Sequence, residues 1–248
     1  MSDFLQIKEF LFYLVILISN IIQGITGFAG TILAMPASLK LVGIGVAVPV
    51  LNLLGLLSGI YVFVGNRKSV NLKVLKKVIP VMGVSVIVGL FIKGLLSSNV
   101  ELLYYILGTV VVLIALRGLI CRGQKGKEHS PSEQLLDLLL LLAGIVHGMY
   151  VCGGPLLIAY MTRKLPDKSS FRATISTVWI FLNGIIFISH ILNGSFTPNV
   201  IRSAFISVPF LLAGMFAGSL LYKKMSQSFF VKLTYVLLLI SGLSLFFK

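Results

Sequence analysis

Acidic side chains are scarce, with seven Asp and Glu against 21 Lys and Arg, and charged residues of both signs make up only 11% of the 248 positions. A soluble domain of this size covers its surface with about 25% charged residues. Too few polar groups are therefore present for a water-facing shell. No charged stretch is long enough to form a linker of domain size, which leaves one membrane domain, 1–248, and no soluble domain. The two cysteines exclude a disulfide framework, since Cys121 lies beside a basic cluster and Cys152 inside an apolar run. Neither H-E-x-x-H nor G-x-S-x-G occurs, and Cys152 with His147 is the nearest approach to a nucleophile–base couple. The chain is read as not an enzyme.

What is abundant is apolar sequence, 57% of residues, with a mean hydropathy of +1.04. A helix needs about 20 apolar residues to cross the hydrocarbon core. Long segments run over Phe4–Ile25, Ile44–Gly65, Val74–Ser97, Val100–Cys121, Glu133–Tyr150, Thr174–Leu192, Val200–Tyr222 and Phe229–Phe247. Two shorter pieces, Phe28–Val42 and Gly153–Met161, each follow a glycine-rich break. The expected fold is an all-α integral membrane protein of about 8–10 hydrophobic helical segments. The short pieces either cross or turn back as arms of hairpins. Asp3 and Glu9 oppose Lys8, so the first run lacks the positive flank of a cleaved signal and is expected to remain as a helix.

The cations sit in short clusters between apolar runs, Arg67–Lys77, Arg117–Lys127, Arg163–Arg172 and Lys223–Lys232. A nucleic-acid-binding protein would instead carry a basic face on a soluble fold. Clusters that border spans orient a protein with the positive loops inside. All of the 21 cations except Lys8, Lys40, Lys93, Arg202 and Lys248 then become cytoplasmic, in a multi-pass protein of the plasma (inner) membrane.

The breaks belong to a repeat. Gln23-Gly24-Ile25-Thr26-Gly27-Phe28-Ala29-Gly30 aligns with His147-Gly148-Met149-Tyr150-Val151-Cys152-Gly153-Gly154 at an offset of 124. Ser58-Gly59-Ile60 aligns with Asn183-Gly184-Ile185 at 125, and Pro80 with Gly89 recurs as Pro209 with Gly218 at 129. The first repeat is 1–121, the second 133–248, and 122–132 is a basic cytoplasmic linker. Matching loops near Lys40–Gly43 and Lys164–Lys168 fall on opposite sides, so the repeats are inverted and both chain ends lie outside.

Inverted repeats with helices broken at matching positions point to the binding site of a secondary transporter. A new helix start leaves backbone N–H groups free, and these together with the helix dipole attract an anion. The starts at Gly27, Ala29, Gly30 and Thr31, and at Gly153, Gly154 and Pro155, offer two such places. Polar residues accompany them: Gln23 corresponds to His147, Asn52 to Thr177, and Ser58 to Asn183. His147 is also the candidate proton carrier. Asn20, Ser85, Thr109 and Ser207 are expected to bond neighbouring helices. His190 is assigned a structural role, and Lys93 and Arg202 interfacial ones. Asp3, Glu9, Glu101, Glu128, Glu133, Asp137 and Asp167 all fall at ends or loops, so no span centre offers a carboxylate for a cation.

At these glycine motifs, Gln23-Gly24 to Gly30 with Pro36, and His147-Gly148 to Gly153-Gly154-Pro155, the sequence resembles the TauE/SafE family of sulfite exporters and related permeases. Ala29, Thr31, Val151 and Cys152 depart from the family's fuller glycine pattern. The resemblance implies movement of small anions, sulfite and sulfur-containing organic acids among them, and no cofactor. The leading reading is a secondary transporter of a small anion by alternating access, with a proton favoured over sodium as any coupling ion. An anion channel and a non-transporting membrane assembly protein are the alternatives, and a membrane enzyme ranks last. The partners are the anion and the lipid bilayer, with self-association into a homo-oligomer left open.

Overall fold

A backbone in lipid must satisfy its own N–H and C=O groups, which restricts an apolar chain to helices or closed barrels. In the computed structural model the described residues are 2–95, 100–120, 132–150, 153–244 and 246, and they form ten α-helices and no strand. These are α1 (Ser2–Thr26), α2 (Gly30–Val42), α3 (Ile44–Asn66), α4 (Leu72–Leu95), α5 (Val100–Ile120), α6 (Glu133–Tyr150), α7 (Gly154–Lys164), α8 (Lys168–Leu192), α9 (Pro198–Lys224) and α10 (Gln227–Ser244). Nearly all of the linker 122–132, Cys121, Glu128, Val151, Cys152 and Lys248 lie outside the described residues, as do the side chains of Asp3, Lys93, Glu101 and Tyr150.

Four segments, Gln6–Thr26, Ile44–Ser69, Lys168–Leu192 and Pro198–Lys224, are long and apolar enough to cross a membrane. Large apolar side chains cover their outer surfaces, with Phe205 81% and Leu192 79% exposed. The chain is a multi-pass membrane protein of all-α class.

The helices form two compact units, Met1–Asn71 with Arg172–Met225, and Leu72–Phe171 with Ser226–Lys248. In the first, α1 packs on α9, α2 on both α1 and α3, and α3 on α9. In the second, α4 packs on α6, α6 on α7, and α5 on α10. Lipid tails give little hydrophobic drive for helix association, so close backbone approach supplies it. A Cβ at Gly218 would lie 2.2 Å from the Ile21 carbonyl oxygen, and one at Gly24 would lie 2.8 Å from that of Met215. In the second unit a Cβ at Gly89 would lie 2.2 Å from the Ile145 carbonyl, and one at Gly148 would lie 2.1 Å from that of Val86. Ile21 and Ile145 differ by 124, and Gly218 and Gly89 by 129, the same offsets that relate the repeat motifs. Asn20 against Gly214 likewise has Gly144 against Ser85 as its counterpart.

The short helices run back along their predecessors. With 13 and 11 residues, α2 and α7 span about 20 and 17 Å at 1.5 Å per residue, less than the hydrocarbon core. Leu41 and Val42 at the end of α2 line one cleft of about 200 Å³ with Lys8, Glu9, Phe12 and Tyr13 at the start of α1. The last residue of α7, Lys164, pairs with the first of α6, Glu133. Each runs antiparallel to the helix before it, and the glycine break is the turn between them. Gly43, at φ +75°, is all that separates α2 from α3, and only a residue without a Cβ adopts that angle freely.

Candidate functional site at the hairpin tips

The first tip is built from α1, α2, α3 and α8. Gly27 turns the chain at φ +82°, its N–H bonding to the Gln23 carbonyl at 2.7 Å. A Cβ there would meet Ser176 Oγ at 2.6 Å, and Ser176 Oγ donates to the Gly27 carbonyl. Thr26 Oγ1 donates to the Ile22 carbonyl at 2.8 Å and accepts from Phe28 N at 3.4 Å and Ala29 N at 3.3 Å. Gln23 Oε1 accepts from Gly30 N at 2.7 Å, while Gln23 Nε2 donates to Ser58 Oγ at 3.0 Å. Ser58 Oγ in turn donates to the Gly55 carbonyl at 2.9 Å.

These bonds revise the expectation of a bare helix start. The donors of Phe28, Ala29 and Gly30 are satisfied by Thr26 and Gln23, because a buried N–H without an acceptor is too costly to leave open. Gln23 caps α2 from inside the protein. The donors of Thr31 and Ile32 come next, and neither has a partner among the described residues. Thr31 Oγ1 and Asn183 Nδ2 flank Gly55, at 3.3 and 2.9 Å from where its Cβ would be, and no acceptor is bonded to either among the described residues. Asn52, one turn before Gly55 on α3, bonds Asn183 from the same side. Thr177, although buried, bonds back to the Ala173 carbonyl at 2.7 Å on its own helix. The tip therefore gathers Gln23, Gly27, Ala29, Gly30, Thr31, Asn52 and Asn183, with Thr177 turned to its own backbone.

A residue that sequence reasoning left in a basic loop completes this tip. Arg172 is 3% exposed, five residues into α8. Its Nε and Nη2 donate to the Gly24 carbonyl at 2.9 and 2.6 Å, and Nη2 also donates to Ser219 Oγ at 2.9 Å. Its guanidinium lies 4.4 Å from the centre of the Tyr222 ring. Among the described residues no carboxylate pairs with it. A cation at the carbonyl end of a helix is favourable, so Arg172 closes α1 where Gln23 opens α2. Asp167 carried the signal for this position. Its Oδ2 accepts from Ser170 N at 2.8 Å, an N-cap that starts α8 six residues before the apolar run.

The second tip has a different local chemistry. α7 starts at Gly154 with Pro155 in its first turn and no side-chain cap. A Cβ at Gly153 would lie 1.9 Å from the Ala143 carbonyl and 2.8 Å from His147 Cβ. Gly30 stands in a similar relation to Ser19 and Gln23, which lie 124 positions before Ala143 and His147, while Gly30 itself lies 123 before Gly153. His147 is buried, 4% exposed, and α7 is buried from Gly154 to Met161.

Among the polar residues assigned to bonds between helices, Asn20, Thr109 and Ser207 instead bond the carbonyl four residues back on their own helix. In apolar surroundings that carbonyl is the nearest acceptor. Ser85 is packed on Gly144. His190 contacts Ser195 at the end of α8, and Arg202 pairs with Glu9 at 3.9 Å while 68% exposed.

The family model described as "Sulfite exporter TauE/SafE" matches residues 11–245. The chain belongs to the TauE/SafE family. It is similar to the probable inner membrane transporter protein TsaS of Comamonas testosteroni, 24% identical over 186 residues, 73% of this chain and 74% of that protein. No solved structure matches it. Membership in TauE/SafE makes the chain a membrane transporter.

Proposed function

We propose that this TauE/SafE protein is a secondary transporter of a small anion, sulfite or a sulfur-containing organic acid, working by alternating access in the plasma (inner) membrane. The observation that carries the reading is the first tip. At the start of α2 the Thr31 and Ile32 N–H groups have no partner among the described residues, Thr31 Oγ1 and Asn183 Nδ2 flank Gly55, and donors at a helix start favour an anion. No carboxylate is among the buried side chains of the described residues, while the Arg172 guanidinium is. Both properties select against cations. The family and the TsaS relative, itself a probable inner membrane transporter, support the same assignment.

The two hairpins are read as products of one duplication, each with its own candidate site. The recurring contacts of Gly218 with Ile21 and Gly89 with Ile145 support a duplicated 1–121 and 133–248. Charge placement supports entry of the hairpins from opposite sides with the basic loops cytoplasmic. Gly153, Gly154, Pro155 and His147 would then meet the substrate at the second tip, with His147 the candidate for a coupled proton. The test is reconstitution into liposomes with sulfite, thiosulfate, sulfoacetate, sulfate and short carboxylates. Saturable, counterflow-competent movement of at least one is expected. Movement of none, under either pH gradient, sinks the proposal, and non-saturable flux without counterflow would make the protein a channel.

A further inference from the structure

Asn52 is 6% exposed, and its Nδ2 donates at 3.4 Å both to the Asn183 carbonyl and to Asn183 Oδ1. The Asn183 backbone carbonyl decides which end of the amide is nitrogen, because the opposite assignment would set oxygen against oxygen. Asn52 Oδ1 is then a buried acceptor with no hydrogen-bond partner among the described residues. A buried amide oxygen without a donor is costly, and native structures retain one where a ligand or a water supplies the proton. Its surroundings point to a ligand. Gly55 lies three residues on, on the same face of α3, and there Asn183 Nδ2 and Thr31 Oγ1 stand with no acceptor bonded to them. One acceptor among several donors is the complement of an anion that also carries a donor.

We propose that the anion held at the first tip bears a hydrogen-bond donor of its own, and that Asn52 Oδ1 accepts from it. A monoprotonated oxyanion or a hydroxyl-bearing sulfonate or carboxylate has this form. A fully deprotonated oxyanion offers only lone pairs and leaves Asn52 Oδ1 facing them. The inference rests on the anion-transport reading and narrows its substrate class.

Matched pairs that differ by one hydroxyl test it, 2-hydroxyethanesulfonate against ethanesulfonate and glycolate against acetate. Each competes for exchange of labelled sulfite by the full-length protein in liposomes. The hydroxyl-bearing member of at least one pair is expected to compete about tenfold or more tightly, the difference between a paired and an unpaired buried acceptor. Asn52→Ala should reduce that preference to about twofold or less, read as the ratio of the two competition constants against the sulfite exchange the variant retains. If that variant does not fold, Asn52→Ser, which withdraws the amide oxygen, takes its place with the same expectation. Equal competition within both pairs overturns the proposal and assigns the oxygen to water. A preference that survives loss of the amide overturns it too. Absence of exchange of every anion would instead bring down the transport reading beneath it.

Discussion

Gln23 and Asn183 are both amides at the first tip, yet the structure gives them opposite duties. The Gln23 amide is engaged at both ends, through Gly30 N and Ser58 Oγ. Gln23→Leu removes both bonds. Ser58 keeps its bond to the Gly55 carbonyl, but the Gly30 N–H is stranded in a buried position. A stranded buried donor costs about 1–3 kcal/mol. For a chain of this length each kcal/mol corresponds to roughly 2–4 °C, so the midpoint of thermal unfolding in detergent should fall by a few to about ten degrees. Asn183→Leu removes Nδ2, which has no acceptor bonded to it among the described residues, and Oδ1, one of two acceptors of Asn52 Nδ2, which retains the Asn183 backbone carbonyl. Its midpoint should stay within about two degrees of wild type, while the apparent affinity for the transported anion drops about fivefold or more. The assay pairs thermal unfolding with concentration-dependent exchange in liposomes. Wild-type stability in Gln23→Leu combined with lost anion affinity would make Gln23 a ligand and refute the capping argument.

Other consequences follow from the same contacts. Gly218→Ala and Gly89→Ala each drive a Cβ to 2.2 Å from a facing carbonyl and should each lose about 1–3 kcal/mol, read as lower unfolding midpoints. Gly83→Ala, with nothing within 4 Å of the new Cβ, should instead hold or gain up to about 1 kcal/mol. Arg172→Met strands the Gly24 carbonyl and should lower stability by about 1–3 kcal/mol, whereas Arg172→Lys, which can still donate to that carbonyl, should recover part of it. Asp137→Asn breaks a half-exposed ion pair with Lys77 and should change stability by less than about 1 kcal/mol.

Element positions were legible because apolar runs of membrane length are bounded by charges and glycines. α6 begins and ends where its run does, at Glu133 and Tyr150. α8 begins earlier than its run because Lys168-Ser-Ser-Phe-Arg172 is polar in composition yet helical from the Asp167 cap. Composition could therefore place Arg172 beside a membrane boundary but could not bury it. A 13-residue segment reads the same whether it crosses or returns, and Leu41 beside Lys8, with Lys164 beside Glu133, sets each short helix antiparallel to the one before it. The glycine breaks were visible as motifs, but their internal caps were not. Gln23 bonding Gly30 requires the chain to turn back at Gly27, and Asn52 meeting Asn183 requires α3 beside α8, 131 positions apart. Pairings at that separation have no periodic signature in one sequence.

Gly55 offers the most direct test of an anion site at the first tip, because any side chain there would press on Thr31 Oγ1 and Asn183 Nδ2. Counterflow of labelled sulfite into liposomes preloaded with unlabelled sulfite should be clear for the wild-type protein. It should be abolished in Gly55→Val, provided that variant still inserts and elutes as a single species. Counterflow at the wild-type rate in Gly55→Val would contradict the site and place the substrate elsewhere.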